Sequence, residues 1–222
     1  MNSAAPARTV EQGPSAFCDE SLRCRPGGTG IYLMSAVVLA SRKVQKARDE
    51  MAALLLAAQG KLHWHAESAQ RRLRLARRTA SVEGEIVIAT WCRMDNAQQE
   101  RARRKTQLTL LPALVDRGVT DAIFESRGSI RDKADIAGLA GLRRSGVLPN
   151  GLRVSHAAGP VERALWAADI AVGAFGATLD GKPEYWAALL TSTKVTVLTC
   201  GQCGLVHGPE TAPEIRTASG TS

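Results

Sequence analysis

Apolar residues along this chain change their spacing from one segment to the next, and the changes mark elements. Ser15 to Ser21 reads as a short strand. After the turn-forming Arg25-Pro26-Gly27-Gly28-Thr29-Gly30 a second strand, Ile31 to Ala40, follows at hairpin distance. Ser41 is placed to cap a helix running to about Gln59, with Gly60 as its stop. Lys61 to Glu67 reads as short and extended, Ala69 to Ala80 as a basic helix, and Glu85 to Cys92, carrying Ile86-Val87-Ile88, as the next strand. A helix is predicted from Gln98 to Arg117, kinked or divided at Pro112. Ala122 to Glu125 is a buried strand, Arg131 to Arg144 a helix and Leu152 to His156 a strand. A helix from Val161 to Leu179, a helical piece over Pro183 to Leu190 and a strand over Lys194 to Thr199 complete the pattern. A hairpin followed by strands alternating with helices predicts an α/β fold, a mixed sheet with helices packed on its faces. With no linker or internal repeat, one domain is expected over 14–204. The Ala-, Gly-, Pro-, Ser- and Thr-rich ends, 1–13 and 205–222, read as disordered tails.

Composition narrows the function. The 222 residues are 45% hydrophobic and 23% charged, enough for a buried core, and 29 Lys and Arg against 21 Asp and Glu leave a net charge of +8. That excess points to a polyanionic partner, nucleic acid first. Aromatic residues, at 4%, are too few for a single-strand binder that stacks bases on aromatic platforms. The longest apolar run, Ile31 to Ala40, is broken by Ser35 and falls far short of the roughly 20 residues of a membrane helix. The N-terminus lacks the basic-then-apolar pattern of a secretory signal. Five cysteines without framework spacing fit reduced thiols, and a cytoplasmic location is expected.

Three acidic positions stand out. Asp19, beside Glu20, comes at the expected end of the first strand, where a carboxylate is held more rigidly than on a loop. Glu125 closes the strand begun by Ala122-Ile123-Phe124, just before Ser126-Arg127-Gly128, and could equally be solvated or paired with Arg127. Asp169 is the one charged side chain between Ala164 and Phe175. A helix apolar all round is a buried helix, and an unpaired carboxylate there is costly, so Asp169 calls for a partner, a metal or a wet cleft. Gly173 and Gly176 would let that helix approach the sheet closely.

The blocks Asp19-Glu20-Ser21 and Ala168-Asp169-Ile170-Ala171, in this order of elements, resemble an uncharacterised prokaryotic family that carries a domain-of-unknown-function label within the ribonuclease H-like superfamily. The resemblance spans about Ala16 to Leu190. It departs at Leu22, where that family usually has Gly. It implies a ribonuclease H-like sheet and a metal-dependent nuclease in which Asp19, Glu125 and Asp169 bind two divalent ions, Mg2+ or Mn2+. The chemistry asks for such a set: two metals about 3.5–4 Å apart need several carboxylates converging from separate elements.

Two other groups of residues compete or assist. In an extended His63-Trp64-His65-Ala66-Glu67, both imidazoles and Glu67 would share one face, which could hold zinc if His156 joined them. Within the nuclease reading Glu67 would be a fourth carboxylate, and His63 or His65 would contact phosphate or move a proton. Cys200-Gly201-Gln202-Cys203 is half of a zinc or redox motif without a second half. Phosphate-binding Gly-x-x-x-x-Gly-Lys, Gly-x-Ser-x-Gly and His-Glu-x-x-His patterns are all absent. Between Lys61 and Lys105, eleven Lys and Arg face five acidic residues, which concentrates the positive charge there. Arg71, Arg74 and Arg78 share a helical face, and Arg101, Arg104 and Lys105 cluster where the next helix begins, so both groups are candidates for tracking phosphates. Ordinary solvated surface is the competing reading, and a catalytically silent binding module on the same fold is the competing function.

Overall fold

The hairpin comes first. Ten residues of β1 (Ser15–Cys24) pair antiparallel with ten of β2 (Gly30–Leu39), from Ser15 opposite Leu39 to Cys24 opposite Gly30. The computed structural model describes residues 12–24, 30–57, 59–94, 98–200 and 216–217. The proposed tails thus lie almost wholly outside the described residues. On one side β2 pairs antiparallel with β3 (Glu85–Met94), which pairs parallel with β6 (Lys194–Cys200), followed by the two-residue β7 (Arg216–Thr217). On the other, β4 (Asp121–Glu125) and β5 (Arg153–Ala157) add in parallel beside β1. The sheet order is β5-β4-β1-β2-β3-β6-β7, a mixed sheet with helices packed on both faces, as the pattern of elements predicts.

Every residue of β2 is buried, which requires cover on both faces. Alternate side chains divide accordingly. Ile31, Leu33, Val37 and Leu39 join a core with α1 (Val44–Ala52), α2 (Ala69–Ala80), α5 (Leu165–Leu179) and α6 (Glu184–Leu190). Tyr32, Met34, Ala36 and Val38 join the opposite core with α3 (Gln99–Val115) and α4 (Ser129–Arg144). Ser35, the polar break in the apolar run, faces α5, where its buried hydroxyl donates to the Ala168 carbonyl at 2.8 Å.

Five expectations need correction. β1 runs three residues past Ser21, so Asp19 and Glu20 lie in mid-strand. Helix α1 stops at Ala52, because the following segment turns back and is held by Arg71, which donates to the Leu54 carbonyl, and by a hydrogen bond between Gln59 and Glu67. The proline does not divide α3: Pro112 lacks the N–H that would reach the Leu108 carbonyl, yet the helix continues through it to Val115. The segment predicted to be extended contains a 3-10 turn, Trp64–Ala66, which breaks the two-residue alternation. Among the cysteines, Cys18 is a buried free thiol, but Cys92 is disulfide-bonded, so the expectation of reduced thiols fails there. No helix among the described residues is long and apolar enough to cross a membrane.

Candidate active site

Register and pleat bring the acidic residues together. β4 pairs with β1 only as far as Cys18 opposite Phe124, so Asp19 is the first residue of β1 beyond its parallel neighbour, and Glu125 is the last of β4. Side chains alternate along a strand. Cys18 and Phe124 point into the α3–α4 core, which sends Asp19 and Glu125 to the α5 face, and there Asp169 projects from α5. All three carboxylates line one cavity of about 190 Å³, together with Lys61, His63 and His65.

Each carboxylate meets a different environment. Burial, then the charges of Asp169 and Glu125, hold the Asp19 carboxyl well above the usual carboxylate range, while Lys61 and Arg103 pull it partly back. Asp169, 6% exposed, accepts the Trp64 backbone N–H at 2.8 Å and lies 3.5 Å from His63 Nδ1. Its predicted need for a partner is met by a backbone donor and an imidazole, and among the described residues no Arg pairs with it. The hydrogen bond to Asp169 raises the His63 pKa, whereas burial and the Arg23 charge lower that of His65. Glu125 is paired with Lys61 rather than with Arg127.

The loop that carries these donors is seated by α5. A Cβ on Gly173 would stand 2.3–2.6 Å from the Trp64 indole, and one on Gly176 would stand 2.5 Å from Arg23 Nε. The two glycines therefore admit particular side chains, Trp64 and the guanidinium of β1's Arg23. Arg72 adds a guanidinium 5.5 Å over the indole and donates to the Trp64 carbonyl at 2.9 Å.

On the opposite face, one residue along β1, lies a second charged group. Glu20 is paired with Arg103 and lies 3.5 Å from Arg127 Nε. Arg103 also grips Asp135 through Nε and Nη2, at 2.7–3.2 Å, and His156 Nε2 is 3.2 Å from the same carboxylate. Arg127 reaches Glu100 at 2.7 Å. Gly128, at φ +99°, turns the chain out of β4 in a conformation that favours glycine, and the Arg127 N–H donates to Asp132 at 3.0 Å. Burial would raise the Asp135 pKa, but hydrogen bonds from His156 and Arg103 and the charges of Arg103 and Arg127 outweigh it and hold it well below the usual range.

The remaining candidates are placed elsewhere. Glu67 is buried but does not line the cavity: it pairs with Arg71 at 2.8 Å and accepts from Gln59 at 2.9 Å. Both Glu67 and Arg71 clamp the loop after α1. Arg74 and Arg78 are exposed on α2, and Arg101, Arg104 and Lys105 are exposed on α3. Because α2 and α3 cover opposite faces, these do not form one continuous track. The zinc alternative fails in its geometry, since His156 is engaged by Asp135 on the α3–α4 side, away from His63 and His65. Of the Cys-x-x-Cys pair, the Cys200 side chain and Cys203 lie outside the described residues. Lys61, which motif reading left out, also lines the cavity, as do Arg103 and Arg127. For Arg103 a signal existed, because it shares the inward spacing of Thr106, Gln107, Leu110 and Leu114.

Three carboxylate donors suit a hard divalent ion such as Mg2+ or Mn2+ better than zinc. Among the described residues no group of three or more His, Cys, Asp or Glu is arranged to hold an ion as it stands. Glu125 is turned to Lys61 and Asp169 to the Trp64 amide. The donor set fits, with Glu125 the member that must change partner.

No family model matches the sequence, and no curated protein matches it. Among solved structures, RNase HII of Archaeoglobus fulgidus, in its complex with PCNA, is similar at a TM-score of 0.43 and 14% identity, over 78% of this chain and 75% of that one. A likeness that distant carries no argument about residues or activity.

Proposed function

We propose that the protein is a divalent-cation-dependent nuclease that hydrolyses phosphodiester bonds of a nucleic acid in the cavity shared by Asp19, Glu125 and Asp169. The observation that carries this reading is their convergence from β1, β4 and α5 into one cavity. A bound Mg2+ or Mn2+ pair would supply Lewis acidity, polarising the phosphodiester and activating water. The chain's part is to fix the three carboxylates on rigid elements, so that little reorganisation accompanies reaction. His63 and His65 line the same cavity, and His63, beside Asp169, would hand a proton to the departing oxygen. Exposed Arg74, Arg78, Arg101, Arg104 and Lys105 would attract the polyanion from either side of the sheet.

The test is cleavage of single- and double-stranded DNA, RNA and hybrid substrates by the full chain with Mg2+ or Mn2+, with chelator as control. Cleavage should depend on the ion and disappear in Asp19→Asn and Asp169→Asn. Absence of cleavage on every substrate, with divalent binding unchanged in Asp169→Asn, overturns the reading. The Lys61–Glu125 pair favours one rival, a catalytically silent nucleic-acid-binding module. Salt-sensitive binding indifferent to chelator and to Asp19→Asn would mark that case.

A further inference from the structure

We propose that Lys61 is the resident cation of the acidic cavity, an intramolecular competitor that a divalent ion must displace from Glu125 before the site can fill. The inference rests on the cation-dependent reading above and adds what sets the ion's affinity. Three observations support it. The Lys61 ammonium is paired with Glu125 within the cavity that Asp19 and Asp169 also line. The fold makes room for that pair: a Cβ on Gly159 would lie 2.7 Å from Glu125 Oε1 and 3.0 Å from Lys61 Nζ. The backbone beside Lys61 is fixed, because Leu62 and Trp64 are buried in the core and the Trp64 amide is bonded to Asp169. Only the side chain, whose stem is flexible, is free to leave.

Of the other cations that line the cavity, Arg103 is committed to Glu20 and Asp135, and Arg127 to Glu100, Glu20 and Asp135. An ammonium carries one charge and a divalent ion two, so exchange is favourable only above an ion concentration that Lys61 helps to set. Once displaced, the ammonium stays tethered at the cavity mouth.

The experiment is calorimetric titration of the full chain with Mn2+, comparing the wild type with Lys61→Met, which keeps the stem and removes the charge, and Lys61→Arg, which keeps the charge. Lys61→Met should bind Mn2+ about tenfold tighter or more, given the strength of a charge pair at contact in a half-buried site. Lys61→Arg should stay near the wild type. Lys61→Gln serves as a second neutral variant if the Met variant does not fold. Equal or weaker Mn2+ affinity in the neutral variants, where the wild type binds Mn2+ through Asp169, overturns the role of Lys61 alone. No Mn2+ binding in either the wild type or the neutral variants overturns both this inference and the nuclease reading.

Discussion

Asp19 and Glu20 are neighbours in one strand, yet the charged groups they join are built on opposite terms. Towards α3 and α4, Glu20, Asp135 and Glu100 face two guanidiniums, and His156 completes the contacts around Asp135. Towards α5, Asp19, Glu125 and Asp169 are contacted by one ammonium and one imidazole, and Arg103 reaches Asp19 only through its charge. In the first group opposite charge pulls the Asp135 pKa down despite burial. In the second, burial and like charge push the Asp19 pKa up. A buried group whose charges are matched needs nothing further from outside. One left short of positive charge is suited to taking a cation, and its stability cost has no structural return.

Arg103→Met should break that contrast most strongly. Removing a side chain that is 1% exposed and holds both Glu20 and Asp135 leaves two carboxylates without their main partner. A loss of about 3–5 kcal/mol is expected, read as a lower urea midpoint at unchanged slope. Asp135 supplies a pH signature for the same group. Its native pKa is depressed, so its contribution is complete above the unfolded value near about 3.9 and is lost only as pH falls through the native one. The stability difference between wild type and Asp135→Asn should therefore stay level from pH 8 to about pH 4 and shrink only in stronger acid. A difference that already shrinks well above pH 4 would mean that the guanidiniums do not hold the carboxylate ionised.

The next effect is smaller and tests how the α5 side is seated. Gly173→Ala places a Cβ against the Trp64 indole and should cost about 1–3 kcal/mol through overpacking. It should also shift the His63 resonances, because the displaced ring belongs to the residue whose amide holds Asp169. Destabilisation without any change at His63 would separate core packing from the site.

These sites also show what could be read from the sequence and what could not. The boundaries of α2, the hairpin and the acidic end of β4 follow from local spacing, and Asp19, Glu125 and Asp169 stood out there as acidic positions. Tertiary contacts overrode the rest. Residues 53–57, good helix formers, leave α1 because Arg71 and Glu67 bind that segment elsewhere. The same ion pair removes Glu67 and Arg71 from the functional list, and no spacing rule distinguishes a phosphate-facing Arg from one turned to a carbonyl. Lys61 carried no motif at all. Its place depends on β4 ending beside β1 and on a glycine 98 positions later in the chain.

The smallest expected change is also the one that contrasts the two neighbours most directly. Asp19→Asn removes one of three converging carboxylates while keeping an oxygen for the Glu20 N–H, which Asp19 Oδ1 accepts at 2.7 Å. Because the native environment already resists ionisation there, the neutral amide should leave stability unchanged or raise it by up to about 1 kcal/mol. Glu20→Gln, one residue along, removes a charge that two guanidiniums oppose and should cost about 1–3 kcal/mol. Chemical denaturation of the two variants side by side, without divalent ions, measures the sign of each. If Asp19→Asn falls as far as Glu20→Gln, the α5-side carboxylates are as well compensated as those opposite, and the case for a cation site there is lost.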